Sequence, residues 1–86
     1  MDFEGAVIRE QGVEFAIVIV QSYVLNNHAD ADNLIQAFQF HFGGIPVVLM
    51  AQDSWGVPSY YGRPDIVRFM ASVPLQAISW STYRLK

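Results

Sequence analysis

The sequence has no cysteine. That absence excludes a disulfide scaffold, thiolate metal ligands and a thiol nucleophile, and it removes any redox clue to the compartment. Charge is scarce as well: five basic and eight acidic side chains among 86 residues leave a net charge of −3. A surface that tracks phosphates needs clustered Lys and Arg, so no nucleic acid is expected as a partner. Long hydrophobic runs are missing too. The longest, Phe15 to Val20, falls far short of the roughly 18 to 20 residues that cross a bilayer. The start, Met1-Asp2-Phe3-Glu4, lacks the basic region of a secretory signal. The expectation is a cytoplasmic protein with no membrane partner. Neither Gly-x-Gly-x-x-Gly nor Gly-x-x-x-x-Gly-Lys occurs, so a standard nucleotide loop is excluded and no cofactor is called for.

What the sequence does have is apolar material. Hydrophobic residues make up 52% of the chain against 15% charged, and 86 residues give room for one domain, spanning 1–86. That is more apolar surface than so small a domain easily hides.

Residues 6–9 read as a short strand, and Gln11-Gly12 supplies a permissive turn before a second run, so an N-terminal antiparallel hairpin is expected at one edge of a sheet. From Val13 to Val20 the run Val-Glu-Phe-Ala-Ile-Val-Ile-Val is β-branched and apolar at both parities, as in a strand buried on both sides. Asn26-Asn27-His28-Ala29-Asp30 offers capping side chains and early acidic charge. Ala31, Leu34, Ile35, Phe38 and Phe42 follow at helical spacing, which predicts a helix over 29–42. Gly43-Gly44 ends it, and Ile45-Pro46 begins an extended segment. Residues 46–52 repeat the double-sided pattern, with Val47 and Leu49 on one face and Val48 and Met50 on the other. Residues 53–62 are dense in turn formers and read as a loop. Pro64 suits a first helical turn, and Ile66, Val67, Phe69, Met70 and Val73 make an amphipathic stripe ended by Pro74. Residues 77–84 alternate like a last strand.

The predicted fold class is therefore α/β: a small two-layer β-β-α-β-α-β domain with a mostly parallel four-stranded sheet. If the last three strands lie side by side in chain order, both helices fall on one face. The other face would then be bare, and exposed apolar patches beyond a few hundred Å² usually mark an interface. A homodimer through the helix-free face is the expected assembly. The alternative is a strand order that sends one helix to each face of a monomer.

Residues 15–21, Phe-Ala-Ile-Val-Ile-Val-Gln, resemble the third strand of the flavodoxin-like receiver domains of bacterial signalling. Residues 45–54, Ile-Pro-Val-Val-Leu-Met-Ala-Gln-Asp-Ser, resemble the fourth. The resemblance covers under half of the chain. Gln21 stands where a receiver carries its phosphoacceptor aspartate, and the acidic pair of the first receiver strand has no counterpart, so phosphotransfer is not carried over. What the resemblance implies is geometric: a β-α-β-α-β piece with its helices on one side.

In an open parallel sheet, ligands sit outside the carboxyl ends of the strands. On the predicted order, Asn27 and His28 follow one such end, while Gln52, Asp53, Ser54, Tyr60, Tyr61 and Arg63 follow the next; these eight are the candidate ligand-binding residues. Arg63 could pair with a small anion or with Asp53. His28, Asp30 and Asp32 do not share one helical face, so no metal ligand set is expected. His41, in the helix's last turn, is explained by the negative end of the helix dipole. Ser54 lacks the Gly-x-Ser-x-Gly elbow of a hydrolase nucleophile, and no catalytic residue is assigned. Trp55, Tyr60 and Tyr61 offer either an aromatic platform or packing for the long loop. The leading functional reading is a non-enzymatic module that binds a protein partner or a small ligand. The rival is a small enzyme or enzyme subunit using Asp53 and His28 as acid and base, with Arg63 holding an anionic substrate. A third reading gives the polar rim no role of its own.

Overall fold

A computed structural model describes residues 2–10 and 12–84. Five strands form one mixed sheet: β1 (Asp2–Glu10), β2 (Val13–Ile19), β3 (Val47–Gln52), β4 (Pro58–Tyr61) and β5 (Ser81–Arg84). Three helices accompany them, α1 (Ser22–Leu25), α2 (His28–His41) and α3 (Pro64–Met70), with a 3-10 turn at Leu75–Ala77. The strand order is β4-β3-β2-β1-β5.

The hairpin forms as expected: β1 runs antiparallel to β2 with Glu10 opposite Val13, and Gly12 takes φ +79° in the turn. Gln11 lies outside the described residues. The parallel pairing of β2 with β3 also forms, Ala16 opposite Val47 and Ile19 opposite Met50. It is the one parallel pair among the described residues, because β4 and β5 both pair antiparallel with their neighbours. Three expectations are thereby corrected. The sheet is not mostly parallel, it has five strands rather than four, and the hairpin is not at an edge, since β5 lies against β1 with Asp2 opposite Arg84 and Gly5 opposite Ser81.

The cause is β4, in the stretch read as loop. After β3 the chain turns back at Asp53 to Val57 and runs down the edge of β3, Gln52 opposite Pro58 and Leu49 opposite Tyr61. An edge strand tolerates Pro58, whose missing N–H would be a defect inside a sheet. The turn-back places α3 at the other end of the sheet from a parallel crossover, and the chain then passes beneath the opposite face to reach β5 at the far edge.

The two helices therefore cover opposite faces. Phe15 and Ile17 of β2, Val48 and Met50 of β3 and Ala6 of β1 pack with Ile66, Met70 and Ile78. The alternate residues, Ala16, Val18, Val47, Leu49 and Phe3, pack with Ala31 and Phe38 of α2. Burying a side chain such as Phe38 contributes about 1.5–3 kcal/mol over leaving it in water, which is why strands apolar at both parities demand cover on both sides. The expected helix-free face does not exist, so the two-layer description becomes three layers and a homodimer packed through that face loses its basis.

Helix α2 lies across the sheet. At its first turns His28 stacks on Tyr61 of β4, ring centroids 4.8 Å apart, and the Tyr61 hydroxyl donates to Asp32 Oδ1 at 2.8 Å. At its end, Phe38 and His41 meet Phe3 of β1 at 4.7 and 5.5 Å, and Phe42 meets Tyr83 of β5 at 5.1 Å. This aromatic cluster fastens the helix end and joins the dipole in accounting for His41. No helix among the described residues is long and apolar enough to cross a membrane.

Candidate functional site

The eight residues singled out from the sequence do not converge. Asn27 is the N-cap of α2, its Oδ1 accepting from the Asp30 N–H at 3.2 Å. His28 and Tyr61 form the stack just described, on the α2 face; the Tyr61 phenol pKa is raised, first by its hydrogen bond to Asp32, then by burial. Tyr60 points to the other face, with its hydroxyl buried and without a partner among the described residues, and burial raises its pKa.

Asp53 is engaged by its own turn. Oδ1 accepts from the Trp55 N–H at 2.8 Å and from the Val57 N–H at 2.9 Å, an Asx turn closed further by the Gly56 N–H to the Asp53 carbonyl at 3.0 Å. Gln52 Nε2 donates to the Gly56 carbonyl at 3.0 Å. Ser54 is exposed in the same turn. Arg63 follows β4 and so lies at the opposite end of β3 from Asp53. It pairs instead with Asp65, Nε to Oδ1 at 2.8 Å and Nη2 to Oδ2 at 2.9 Å. That guanidinium holds the Asp65 carboxyl down at about 2. The acid, base and anion-holding group of the enzyme reading thus have separate partners on separate parts of the fold.

A cleft of about 760 Å³ lies at the end of the sheet where β2 and β3 finish and β1 begins. Its apolar part comes from Phe3, Val20, Val24, Leu34 and Phe38. Asp2, Glu4, Gln21, Ser22, Gln52 and Thr82 also line it, and by the register of β1 with β5 the Asp2, Glu4 and Thr82 side chains belong to the opposite face of the sheet from Phe3. Tyr23, 71% exposed, stands beside it.

Local sequence explains this shape. Ser22 to Leu25 make a single helical turn after the extended Gln21, and Asn26 and Asn27 N–H groups close it on Tyr23 and Val24 carbonyls at 3.3 Å each. Asn27 then starts α2 afresh. The break lets the chain leave the end of β2 before α2 descends onto the sheet, so a gap remains between β1, α1 and α2. The Ser22 hydroxyl donates to the Gln52 carbonyl at 3.3 Å and ties α1 to the end of β3.

Of the eight candidates, Gln52 lines this cleft and the other seven do not. The strand expected from Ala6 extends back to Asp2 and brings in Phe3 and Glu4, the alternation Asp2-Phe3-Glu4 continuing its period-two pattern backwards. Tyr23 and Val24 belong to a turn too short to show helical periodicity. No three Asp, Glu or His side chains among the described residues are grouped as a metal site would need.

Comparison with known protein families, with curated proteins and with solved structures yields no match to this chain.

Proposed function

We propose that the chain is a non-enzymatic binding module whose ligand enters the cleft at the carboxyl ends of β2 and β3. The observation that carries this reading is the cleft itself. About 760 Å³ falls within the roughly 300–1,000 Å³ typical of small-molecule sites, whose lining is predominantly apolar, as Phe3, Val20, Val24, Leu34 and Phe38 make it here. Rigidity supports it: Ser22 is tied to the Gln52 carbonyl and Gln52 to Gly56, so two rim residues are held in place before any ligand arrives. The dispersal of Asp53, His28 and Arg63 removes the constellation on which the enzyme reading was built.

The test is a fragment screen by amide NMR on the isotope-labelled chain. Saturable shifts should concentrate at Gln21 to Val24, Phe3 and Gln52. Filling the floor with Leu34→Trp should abolish them while the thermal transition persists. Fragments that bind elsewhere, or that bind the filled variant equally well, would refute the assignment.

A further inference from the structure

The cleft is lined by successive residues of two strands, Asp2, Phe3 and Glu4 of β1 and Ile19 of β2 with Val20 and Gln21 after it. Successive side chains point to opposite faces of a sheet, so the recess follows the strand backbones rather than one face. Main-chain groups are therefore part of its wall.

The ladder shows which of them are open. β1 and β2 stay paired from Glu10 opposite Val13 to Gly5 opposite Val18. Glu4 and Ile19 come next in the two strands, yet they are not partners. β1 goes on along β5, with Asp2 opposite Arg84. β2 goes on along β3, and the Val20 N–H donates to the Met50 carbonyl at 2.9 Å. The two central strands diverge at the cleft.

Parity gives the direction of each group. The Ala16 N–H donates to the Pro46 carbonyl and the Val20 N–H to that of Met50, so even-numbered residues of β2 turn their main chain to β3 and odd-numbered ones turn it to β1. Ile17 lies opposite Ala6, so the even-numbered residues of β1 face β2. A continued ladder would spend the Glu4 N–H on the Ile19 carbonyl and the Gln21 N–H on the Asp2 carbonyl. Where the strands part, these two donors and two acceptors face the gap instead, and the Gln21 N–H has no acceptor among the described residues. Beside them, on the α2 face, Phe3 and Phe38 pack with Val20, Val24 and Leu34.

We propose that the cleft takes an extended peptide, whose main chain pairs with the groups that β1 and β2 leave open and whose apolar side chain lies against Phe3, Leu34 and Phe38. This rests on the reading of the cleft as the binding site. Addition of a peptide strand draws affinity from main-chain hydrogen bonds and selectivity from the pocket that receives alternate side chains. An apolar molecule without an amide reaches the side chains alone.

The experiment titrates the intact, isotope-labelled chain with acetyl-Ala-Phe-Ala-amide, followed by amide NMR and hydrogen exchange. The comparison probes are the same peptide methylated at its Phe nitrogen, acetyl-Ala-Ala-Ala-amide and 3-phenylpropan-1-ol. The Phe peptide should shift the amides of Phe3, Glu4 and Gln21 to Val24 saturably, with an affinity about tenfold above each comparison probe. Near saturation it should slow exchange of the Glu4 and Gln21 N–H groups about tenfold. Equal binding by any comparison probe, or unchanged exchange at Glu4 and Gln21, overturns the inference while the cleft reading stands. If no fragment or probe moves a cleft amide, both fall.

Discussion

Gly5 lies in the middle of β1, opposite Val18 of β2 and Ser81 of β5. A Cβ built on it would come 2.6 Å from the Ile17 carbonyl oxygen, which is backbone of the neighbouring strand, and 3.7 Å from the Phe3 ring. The ring contact is ordinary, but the carbonyl contact is not. Backbone in a ladder held on both sides cannot retreat as a side-chain tip can, so Gly5→Ala must push β1 and β2 apart locally. Overpacking of this kind costs about 1–3 kcal/mol. Reduced freedom of the unfolded chain returns about 0.4–1 kcal/mol, leaving a net loss of about 1–2 kcal/mol. For a domain of this size each kcal/mol moves the midpoint by about 4–8 °C, so Tm should fall by about 5–15 °C. The comparison is Gly12→Ala, where a Cβ meets nothing within 4 Å and the strain comes from φ +79° alone. Circular-dichroism melts give the two losses, and amide spectra separate their causes. Gly5→Ala should displace the Ile17 and Val18 signals across the ladder, whereas Gly12→Ala should disturb the hairpin turn. An unchanged or raised Tm for Gly5→Ala, or a lowered one with β2 amides unmoved, would refute the steric argument.

Two further outcomes are expected. The Asp65 carboxyl, held at about 2 by Arg63 against an ordinary 3.8, contributes stability that is present above pH 3.8 and lost as the pH falls towards 2. Arg63→Ala should return its carboxyl titration, followed by carbon NMR, to the ordinary range, and because the pair is half-exposed added salt should narrow the difference. Sedimentation velocity should show a monomer across the micromolar range, since α2 and α3 with the turn after it cover both sheet faces; a sedimentation coefficient rising with concentration would contradict this.

The legible parts of the fold are those in which burial and period agree. Val13 to Ile19 and Val47 to Gln52 are apolar at both parities, and Ala31, Leu34, Ile35 and Phe38 keep helical spacing, so β2, β3 and α2 could be placed to within a residue or two. Edge strands lack this advantage. In β4 no residue is fully buried, and in β5 Tyr83 alone is even half-buried, so packing imposes no period there and the punctuation of Pro58 and Gly62 dominates. The overlooked signal was Asp53 to Gly56, a four-residue turn whose side-chain carboxylate and left-handed glycine, φ +80°, close a hairpin. The site was obscured for a related reason. Read as a loop, residues 53–62 keep Tyr60, Tyr61 and Arg63 at the same end as Gln52; as the antiparallel strand β4, they carry Arg63 to the other end.

The double-sided strands bear on function in a way that the bare-face picture concealed. Once α2 and α3 have each covered a face, the alternate apolar residues of β2 and β3 are packed on both sides, and a recess is left at the sheet's end. Such a recess opens at the top of β2 because Asn26-Asn27 interrupts the helix that would otherwise continue from Ser22. Starting afresh at Asn27, α2 begins against Tyr61 of β4 and ends where Phe38 meets Phe3 of β1 and Phe42 meets Tyr83 of β5. The break that lets α2 cross the sheet diagonally, and so bury Phe38 and Ala31, is therefore the same break that leaves the cleft open. Stability of the α2 layer and availability of the site share one structural cause.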